Sequence, residues 1–303
     1  MATSERDGAV EATLAWLERD VVDSGPEGAL LEKLQLAEEE ERPLRVKLGM
    51  DPTAPDIHLG HAVVLRKLRE FQELGHTAVL IVGDFTARVG DPSGRSATRP
   101  EVPVEEIERG ADTYERQANM ILRRDRLELR RNSEWLDTRV EEMLQLASTT
   151  TTAQILQRSD FARRLDAREP ISLLELIYPL LQGYDSVAIE ADVELGATDQ
   201  TFNVFLARDI QRAYGQPGQA VMTLPILRGT DGVKKMSSSV GNVIRIADPP
   251  DAVRKKVGAL PDELLPEYFE LLLERPPPAS ATAASKAVLA EDLLTWLSGK
   301  AHA

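Results

Sequence analysis

The sequence contains no cysteine. That excludes disulfides, thiolate zinc ribbons and cysteine nucleophiles, and it fits a reducing compartment such as the cytoplasm. Histidine is almost as scarce, with four among 303 residues. No apolar run approaches the roughly 20 residues that a membrane-spanning helix needs, so no membrane partner is expected. The opening stretch MATSERDGAVEATLAWLERD is charged throughout and does not read as a signal peptide. Positive charge is also in deficit: 36 Lys and Arg stand against 50 Asp and Glu, a net −14. A broad, non-specific grip on nucleic acid needs the opposite balance. The densest basic run, RRDRLELRR at residues 123–131, reads as a solvated helix or loop face, with a local anion-binding patch as the alternative.

What is present suits a soluble domain able to bury a core: 42% of residues are apolar and 28% charged. An acidic helical region ends in AEEEERP at residues 37–43. LRVKL then reads as a buried strand, HAVVLRKLREFQELG as a helix stopped at Gly75, and HTAVLIVGD as a second strand. Strand, helix, strand with continuous apolar strands argues for a parallel sheet covered by helices. Residues from about 96 to about 170 look mostly helical and highly charged. Strand-like runs return at SVAIEADVEL and AVMTLPIL, with an amphipathic helix, DQTFNVFLARDIQRAYG, between them. The expected picture is an α/β sheet of nucleotide-binding type, residues 1–245, split by a helical insertion at about 96–170. A short all-helical region, residues 246–303, follows, with ERPPPASATAAS as a linker inside it.

Two of the four histidines, His58 and His61, lie three residues apart in DPTAPDIHLGHAVVLRKL, on one face of a helix start. As zinc ligands they would need a third partner, and no histidine or cysteine is near. They could also be structural core histidines. The loop before them favours a third reading. Pro52 and Pro55 stiffen it, Gly60 removes a side chain where something must approach, and a helix N-terminus offers free N–H groups to an anion. A phosphate-bearing ligand suits that set. Further on, KKMSSSVGN at residues 234–242 is donor-rich; alone it is any surface loop. Tyr178, Gln182 and Asp185, spaced four and three apart, form a polar stripe on an otherwise apolar helix. Such a stripe is either a structural network or a binding face.

Together, HLGH and KMSSS resemble the motif pair of class I aminoacyl-tRNA synthetases. Within that class, GDPSG (residues 90–94), YPLLQGYDS (178–186) and LGATDQTFN (195–203) look like the tyrosyl-tRNA synthetases. PLRVKLGMDPTAPDIHLGH is similar to one bacterial branch of them. The likeness runs from about residue 25 to about 296. It implies a Rossmann-like parallel sheet and a two-step chemistry. An amino-acid carboxylate attacks the α-phosphate of ATP, expelling pyrophosphate, and the aminoacyl group then passes to an acceptor. Such chemistry needs alignment and donors aimed at growing charge rather than a covalent nucleophile.

The resemblance implies that Thr53, His58, His61 and Lys235 carry the reaction. Gly49, Asp51, Gly60, Asp199, Lys234, Met236 and Ser237 would form the ATP site, with Asp199 taking the ribose hydroxyls. Thr86, Asp91, Asn132, Tyr178, Gln182, Asp185 and Gln200 would surround tyrosine or a close analogue, with Asp185 on the phenol hydroxyl. Mg²⁺ would accompany ATP, and no tightly held protein-ligated metal is expected. Lys47 falls where many relatives carry a second tyrosine. Relatives form a two-fold dimer through the insertion, so a homodimer is expected.

Three departures stand out. Ser238 replaces the usual second lysine of the mobile loop; one charge-assisted contact is worth roughly 1.5–3 kcal/mol. Ala87 and Ala197 stand where glycine is usual, which costs about 1 kcal/mol if positive φ is needed there. Relatives continue into an S4-like RNA-binding domain, and this sequence, which stops at Ala303, is expected to lack one. With the net negative charge, that leaves the acceptor open between tRNA and a small molecule or carrier. A non-catalytic nucleotide-binding paralogue is a further alternative.

Overall fold

The structure, a computed structural model, describes residues 2–93 and 102–298. Gly94 of GDPSG and the start of the insertion at 96–101 lie outside the described residues. Six strands make one sheet: β1 (Asp23–Gly25), β2 (Arg45–Met50), β3 (Thr77–Val82), β4 (Leu127–Arg131), β5 (Val193–Ala197) and β6 (Ala220–Leu224). Their spatial order is β1-β6-β5-β2-β3-β4. β1 runs antiparallel to β6 and every other pair is parallel. β6 is buried along its whole length, and β3 at all but its first residue. This is what apolar runs without alternation demand of a sheet covered on both faces.

From β2 the chain builds outward through β3 to β4, then returns to lay β5 and β6 on the other side. β2 is thus the point where the winding reverses, and ligands of open α/β sheets bind beside the carboxyl ends of strands at such a point. β2 and β5 pair over two rungs only, Val46↔Val193 and Lys47↔Glu194. Beyond Lys47 they diverge and leave a gap at their carboxyl ends.

The first crossover helix, Leu59–Glu73, buries Leu59, Ala62, Val63, Leu65, Leu68 and Phe71 together with Arg66, Lys67, Glu70 and Gln72, so it is enclosed on nearly every side. The chain leaves it through Leu74 and Gly75 (φ 94°), as expected. Two expectations need correction. RRDRLELRR is neither helix nor free loop. It makes a short 3₁₀ turn and then edge strand β4, where Leu127 and Leu129 alternate with Glu128 and Arg130. Most of its charges are matched: Arg123 pairs with Asp125, Arg130 with Glu134, and Arg131 with Glu108, Asp112 and Glu115. It is no free anion patch. Likewise SVAIEADVEL is not all strand. The preceding helix, Leu173–Ala188, runs on through its first residues, the chain reverses at Glu190 (φ 51°), and only Val193–Ala197 is extended.

Helices follow β6: Pro250–Gly258, Leu265–Leu273 and Ala283–Leu297. Their Tyr268, Leu272, Leu289, Leu293 and Trp296 share one apolar core with the sheet residues Val46, Leu48, Leu80 and Met222. A second core lies under the insertion, joining Leu136, Leu146, Ile155 and Phe161 to Leu180, Leu181, Leu206 and Ile210. Among the described residues no helix is long and apolar enough to cross a membrane.

Helix Leu173–Ala188 packs closely on helix Thr201–Ala213. A Cβ at Gly183 would collide with Ile210 Cδ1 and lie 3.3 Å from Ala207 Cα. Gly183→Val is expected to lower unfolding stability by about 1–3 kcal/mol through overpacking. A urea midpoint equal to that of the unaltered chain would contradict this contact.

Candidate active site

The gap between β2 and β5 opens into a cleft of about 280 Å³. Its walls hold Gly49, Asp51, Thr53, His58, Gly60, His61, Thr86, Asp91, Asn132, Tyr178, Gln182, Asp185, Asp199, Gln200, Lys235, Met236 and Ser237. Of the residues expected to carry the reaction or to form the ATP and amino-acid sites, only Lys234 is not in the wall. It is exposed and directly precedes Lys235, which bridges to Arg228 in an extended segment, where neighbouring side chains point to opposite sides.

One end is built on the helix N-terminus. His58 is the residue before helix Leu59–Glu73, in extended conformation (φ −118°, ψ 169°), and its ring stacks on His61 with centroids 3.8 Å apart. Gly60 leaves little room to spare: an added Cβ would lie 3.1 Å from the His58 ring and 3.5 Å from Met236 Cβ, so the stacked ring would have to give by a few tenths of an ångström. Burial above all, helped by neighbouring His61, Lys235 and Arg245, pushes His58 down to about 2. Burial and Lys235 push His61 down to about 4. Both are therefore neutral imidazoles at neutral pH, donating through N–H rather than through charge.

The loop carrying KMSSS folds down over this end. Met236 N–H donates to Leu227 O (2.9 Å), and Asn242 ties Ser237 N–H and Asp231 together (both 2.9 Å). Lys235 Nζ lies 2.7 Å from Asp199 Oδ2. That pair is exposed on the lysine side, so it contributes about 1 kcal/mol at most and yields readily to a ligand. The next segment crosses the helix start: Leu59 N–H donates to Ile244 O and Ile246 N–H to Ile57 O. Ala197 has φ −84°, so the methyl that replaces the usual glycine adds no backbone strain, and Ala87 is buried in a short helix.

The other end is a chain of hydrogen bonds. Tyr178 OH donates to Asp51 Oδ2 (2.9 Å) and Thr86 Oγ1 to Asp51 Oδ1 (2.7 Å). Asn132 Nδ2 donates to Thr86 Oγ1 (2.9 Å) and, more distantly, to Asp185 Oδ2 (3.4 Å). Gln200 Nε2 donates to Asp91 Oδ2 (2.8 Å), and Asn203 Nδ2 to the side-chain oxygens of Gln182 (3.0 Å) and Gln200 (3.1 Å). Burial, with Asp51 and Asp91 close by, holds the Tyr178 phenol well above its usual range, so it stays a neutral donor. Burial also pushes Asp185 up to about 7, against the pull of Lys47 and of donors on Trp135 and Asn132.

Some residues of the site escaped the sequence. Trp135 Nε1 donates to Asp185 Oδ1 at 2.8 Å, and nothing in the spacing of SEWL signals it. Lys47 and Glu194 form a buried pair at 2.9 Å behind the cleft wall. Charged residues inside the apolar runs LRVKL and ADVEL were the available signal. Lys47 is not in the wall where the second tyrosine of relatives was expected to correspond. Among the described residues no three His, Asp or Glu side chains gather as a metal site.

The histidines generate a stability prediction. His58, His61 and His76 all have folded values depressed by burial, His76 to about 4. Below about 6.5 the unfolded chain takes up protons that the folded chain refuses. Their contribution to stability is therefore complete above that pH and falls as pH drops toward 5, at up to about 1.4 kcal/mol per pH unit for each group, offset in part by Asp185 and Glu70, whose values burial raises to about 7 and which act in the opposite sense. Urea midpoints at pH 7.5, 6 and 5 are expected to show the fall, and His58→Gln with His61→Gln to flatten it. Equal slopes in the double variant would refute the assignment.

Comparison with known proteins points the same way as this geometry. The family described as tRNA synthetases class I (W and Y) matches residues 39–291. A tyrosine–tRNA ligase of Thermotoga maritima is 54% identical over 86% of this chain and 64% of its own length. One of Deinococcus radiodurans is 50% identical over 91% of this chain and 67% of its own. The chain thus spans about two thirds of the length of these curated relatives. A crystal structure of a tyrosyl-tRNA synthetase from Archaeoglobus fulgidus, complexed with L-tyrosine, superposes with a TM-score of 0.75 at 25% identity, covering 95% of this chain and 97% of that one. The Aeropyrum pernix synthetase, at 20% identity and a TM-score of 0.74, covers 96% and 94% and shares the fold. A match of this extent, on a sheet whose winding reverses beside the cleft, means that the chain belongs to the class I tRNA synthetases of the tryptophan and tyrosine family.

Proposed function

We propose that the chain activates L-tyrosine with ATP and passes the tyrosyl group to the terminal ribose of tRNA(Tyr). The observation that carries this reading is convergence: the imidazole pair, Lys235 and the Tyr178–Gln182–Asp185 stripe line one cleft at the reversal point of the sheet. The names of relatives at 50–54% identity support tyrosine and tRNA. No feature of the cleft favours a small-molecule acceptor or a non-catalytic role.

In this reading the triphosphate of ATP, with its Mg²⁺, lies along the helix N-terminus. His58 and His61 donate neutral N–H groups there beside Thr53, and Gly60 leaves the backbone open to the adenosine. Asp199 exchanges Lys235 for the ribose hydroxyls. The freed ammonium, with the loop residues Lys234, Met236 and Ser237 around it, turns to the departing pyrophosphate. Ser238 supplies a hydroxyl where a second charge is usual, which makes Lys235 the principal cation of the loop. Tyr178, Gln182, Asp91 and Gln200 hold the ammonium and carboxylate of tyrosine. The carboxylate oxygen attacks the α-phosphorus, and the bond to the β-phosphate oxygen breaks. Asp185 accepts the phenol proton's hydrogen bond, while Thr86 and Asn132 keep the acceptor chain in place.

The division into a catalytic part, residues 1–245, and a helical anticodon-side part, 246–303, belongs to the same proposal, and so does a homodimer. Exposed Val140, Leu144, Leu165, Leu173 and Leu174 lie on the insertion and the helix after it, and covering them supports self-association.

ATP–pyrophosphate exchange with a panel of amino acids tests the reading. Exchange is expected with tyrosine and far less with phenylalanine, and tRNA(Tyr) is expected to be charged. Exchange driven best by another amino acid would sink the assignment of Asp185. His58→Asn is expected to slow exchange by roughly ten- to a hundred-fold, the cost of one hydrogen bond to a charged group. Asp185→Ala is expected to erase most of a tyrosine preference of order 10⁴. Leu144→Glu with Leu173→Glu is expected to yield a monomer in sedimentation; an unaltered sedimentation coefficient would contradict the dimer face.

A further inference from the structure

Behind the phenol end of the cleft lies a layer of buried charge that the proposed reaction leaves unused. Lys47 on β2 is wholly buried, at 0% exposure, and Glu194 on the adjoining β5 is at 1%. The Lys47 ammonium donates to Glu194 Oε1 (2.9 Å), Gln182 O (2.8 Å) and Ser186 Oγ (2.7 Å), which uses all three of its N–H bonds. Glu194 accepts in turn from Ser186 Oγ (3.1 Å), Gln182 Nε2 (3.3 Å) and Gln219 Nε2. Two of these partners, Gln182 and Ser186, bracket Asp185 on the same helix. The pair therefore clamps the one helical turn that presents Gln182 and Asp185 to the cleft.

The clamp is also electrostatic. Asp185 is 3% exposed and faces Trp135 Nε1 and Asn132 Nδ2, with the Tyr178 phenol and Asp51 further along the hydrogen-bond chain. Arg130 lies over the outer face of the Trp135 ring. From the sheet side the charged groups are Lys47 and Glu194. One ammonium thus serves two buried carboxylates, and a buried carboxylate keeps its proton unless a cation or donors oppose that. Burial is the largest influence on Asp185 and favours the protonated acid; Lys47 acts against it and Glu194 with it.

We propose that Lys47 and Glu194 are positioning residues for amino-acid selection: they fix the Gln182–Ser186 turn against the sheet and set the negative charge on Asp185 that accepts a phenol hydrogen. Neither touches the substrate. The selection part rests on the reading of the cleft as a tyrosine site; the charge coupling does not.

Removing the Lys47 ammonium and removing the Glu194 carboxylate predict opposite shifts at Asp185, which a merely structural role would not produce. In the full-length chain, the ¹³C resonance of the Asp185 carboxyl, identified by its loss in Asp185→Asn, is to be followed from pH 4 to 9 without substrate. Its midpoint is expected to rise by about one unit in Lys47→Met and to fall in Glu194→Gln. The acidic limb of kcat/KM for tyrosine in pyrophosphate exchange is expected to move with it. KM for tyrosine at pH 7 is expected to rise roughly tenfold in Lys47→Met with little change in kcat, while phenylalanine is barely affected. Shifts in the same direction, or none, overturn the proposal. Should Lys47→Met fail to fold, the near-isosteric Glu194→Gln decides alone, and an unmoved midpoint there overturns it. If the unaltered chain shows no exchange with tyrosine, the reading of the cleft falls and the selection role with it, whereas the titration still decides the coupling.

Discussion

The structure depends on how little β2 and β5 share. Two rungs join them, and past Lys47 the strands part. The parting is a consequence of winding. Because the chain builds one half of the sheet from β2 outward and returns for the other, no crossover helix covers the ends of both strands, and the loops that leave them splay apart. Asp51, Thr53 and the imidazoles follow β2; Asp199 and Gln200 follow β5. The cleft is where those two sets face one another. The insertion and the helix Leu173–Ala188 close one side of it, and the loop with Lys235 closes the other.

The two ends of the cleft solve different electrostatic problems. At the helix N-terminus the protein offers donors without fixed positive charge, since burial keeps both imidazoles neutral. The exposed cation, Lys235, is paired with Asp199. At the other end polar groups are packed where water is scarce, and almost every one is bonded to another. A site of that kind discriminates strongly, because a ligand lacking the matching hydroxyl leaves buried groups without partners.

Much of this was legible in the sequence, for reasons of spacing. The apolar runs at 44–48 and 77–82 read as covered strands because they do not alternate. The helix start at HLGH was marked by proline, glycine and paired histidines, and the stripe Tyr178, Gln182, Asp185 by helical periodicity on an apolar background. β4 was missed because arginine and glutamate on an edge strand look like a solvated helix; only the two-residue rhythm of Leu127 and Leu129 betrays it. The end of the helix at Ala188 was missed because Val187 and Ile189 suit either state, and the reversal at Glu190 carries no glycine. The bond from Trp135 to Asp185 joins elements distant in the chain, and one sequence holds no signal for it. Lys47 and Glu194 were visible as charges in apolar strands, yet only the register between β2 and β5 shows that they meet.

The crossover helix Leu59–Glu73 is gripped at its start and at its middle by the part of the chain that follows β6. At its start, backbone bonds tie Leu59 to Ile244 and Ile57 to Ile246. At its middle, Arg66 donates to Leu271 O and pairs with Glu274, beside the buried Lys67–Glu70 pair. The rod that aims the imidazoles is thus braced at its start by the segment that follows β6 and at its middle by helix Leu265–Leu273. A shift of those elements would therefore be transmitted to the helix start that carries the imidazoles, whereas the loop bearing Lys235 is anchored separately, by Met236 N–H on Leu227 O and Gly229 N–H on Lys234 O.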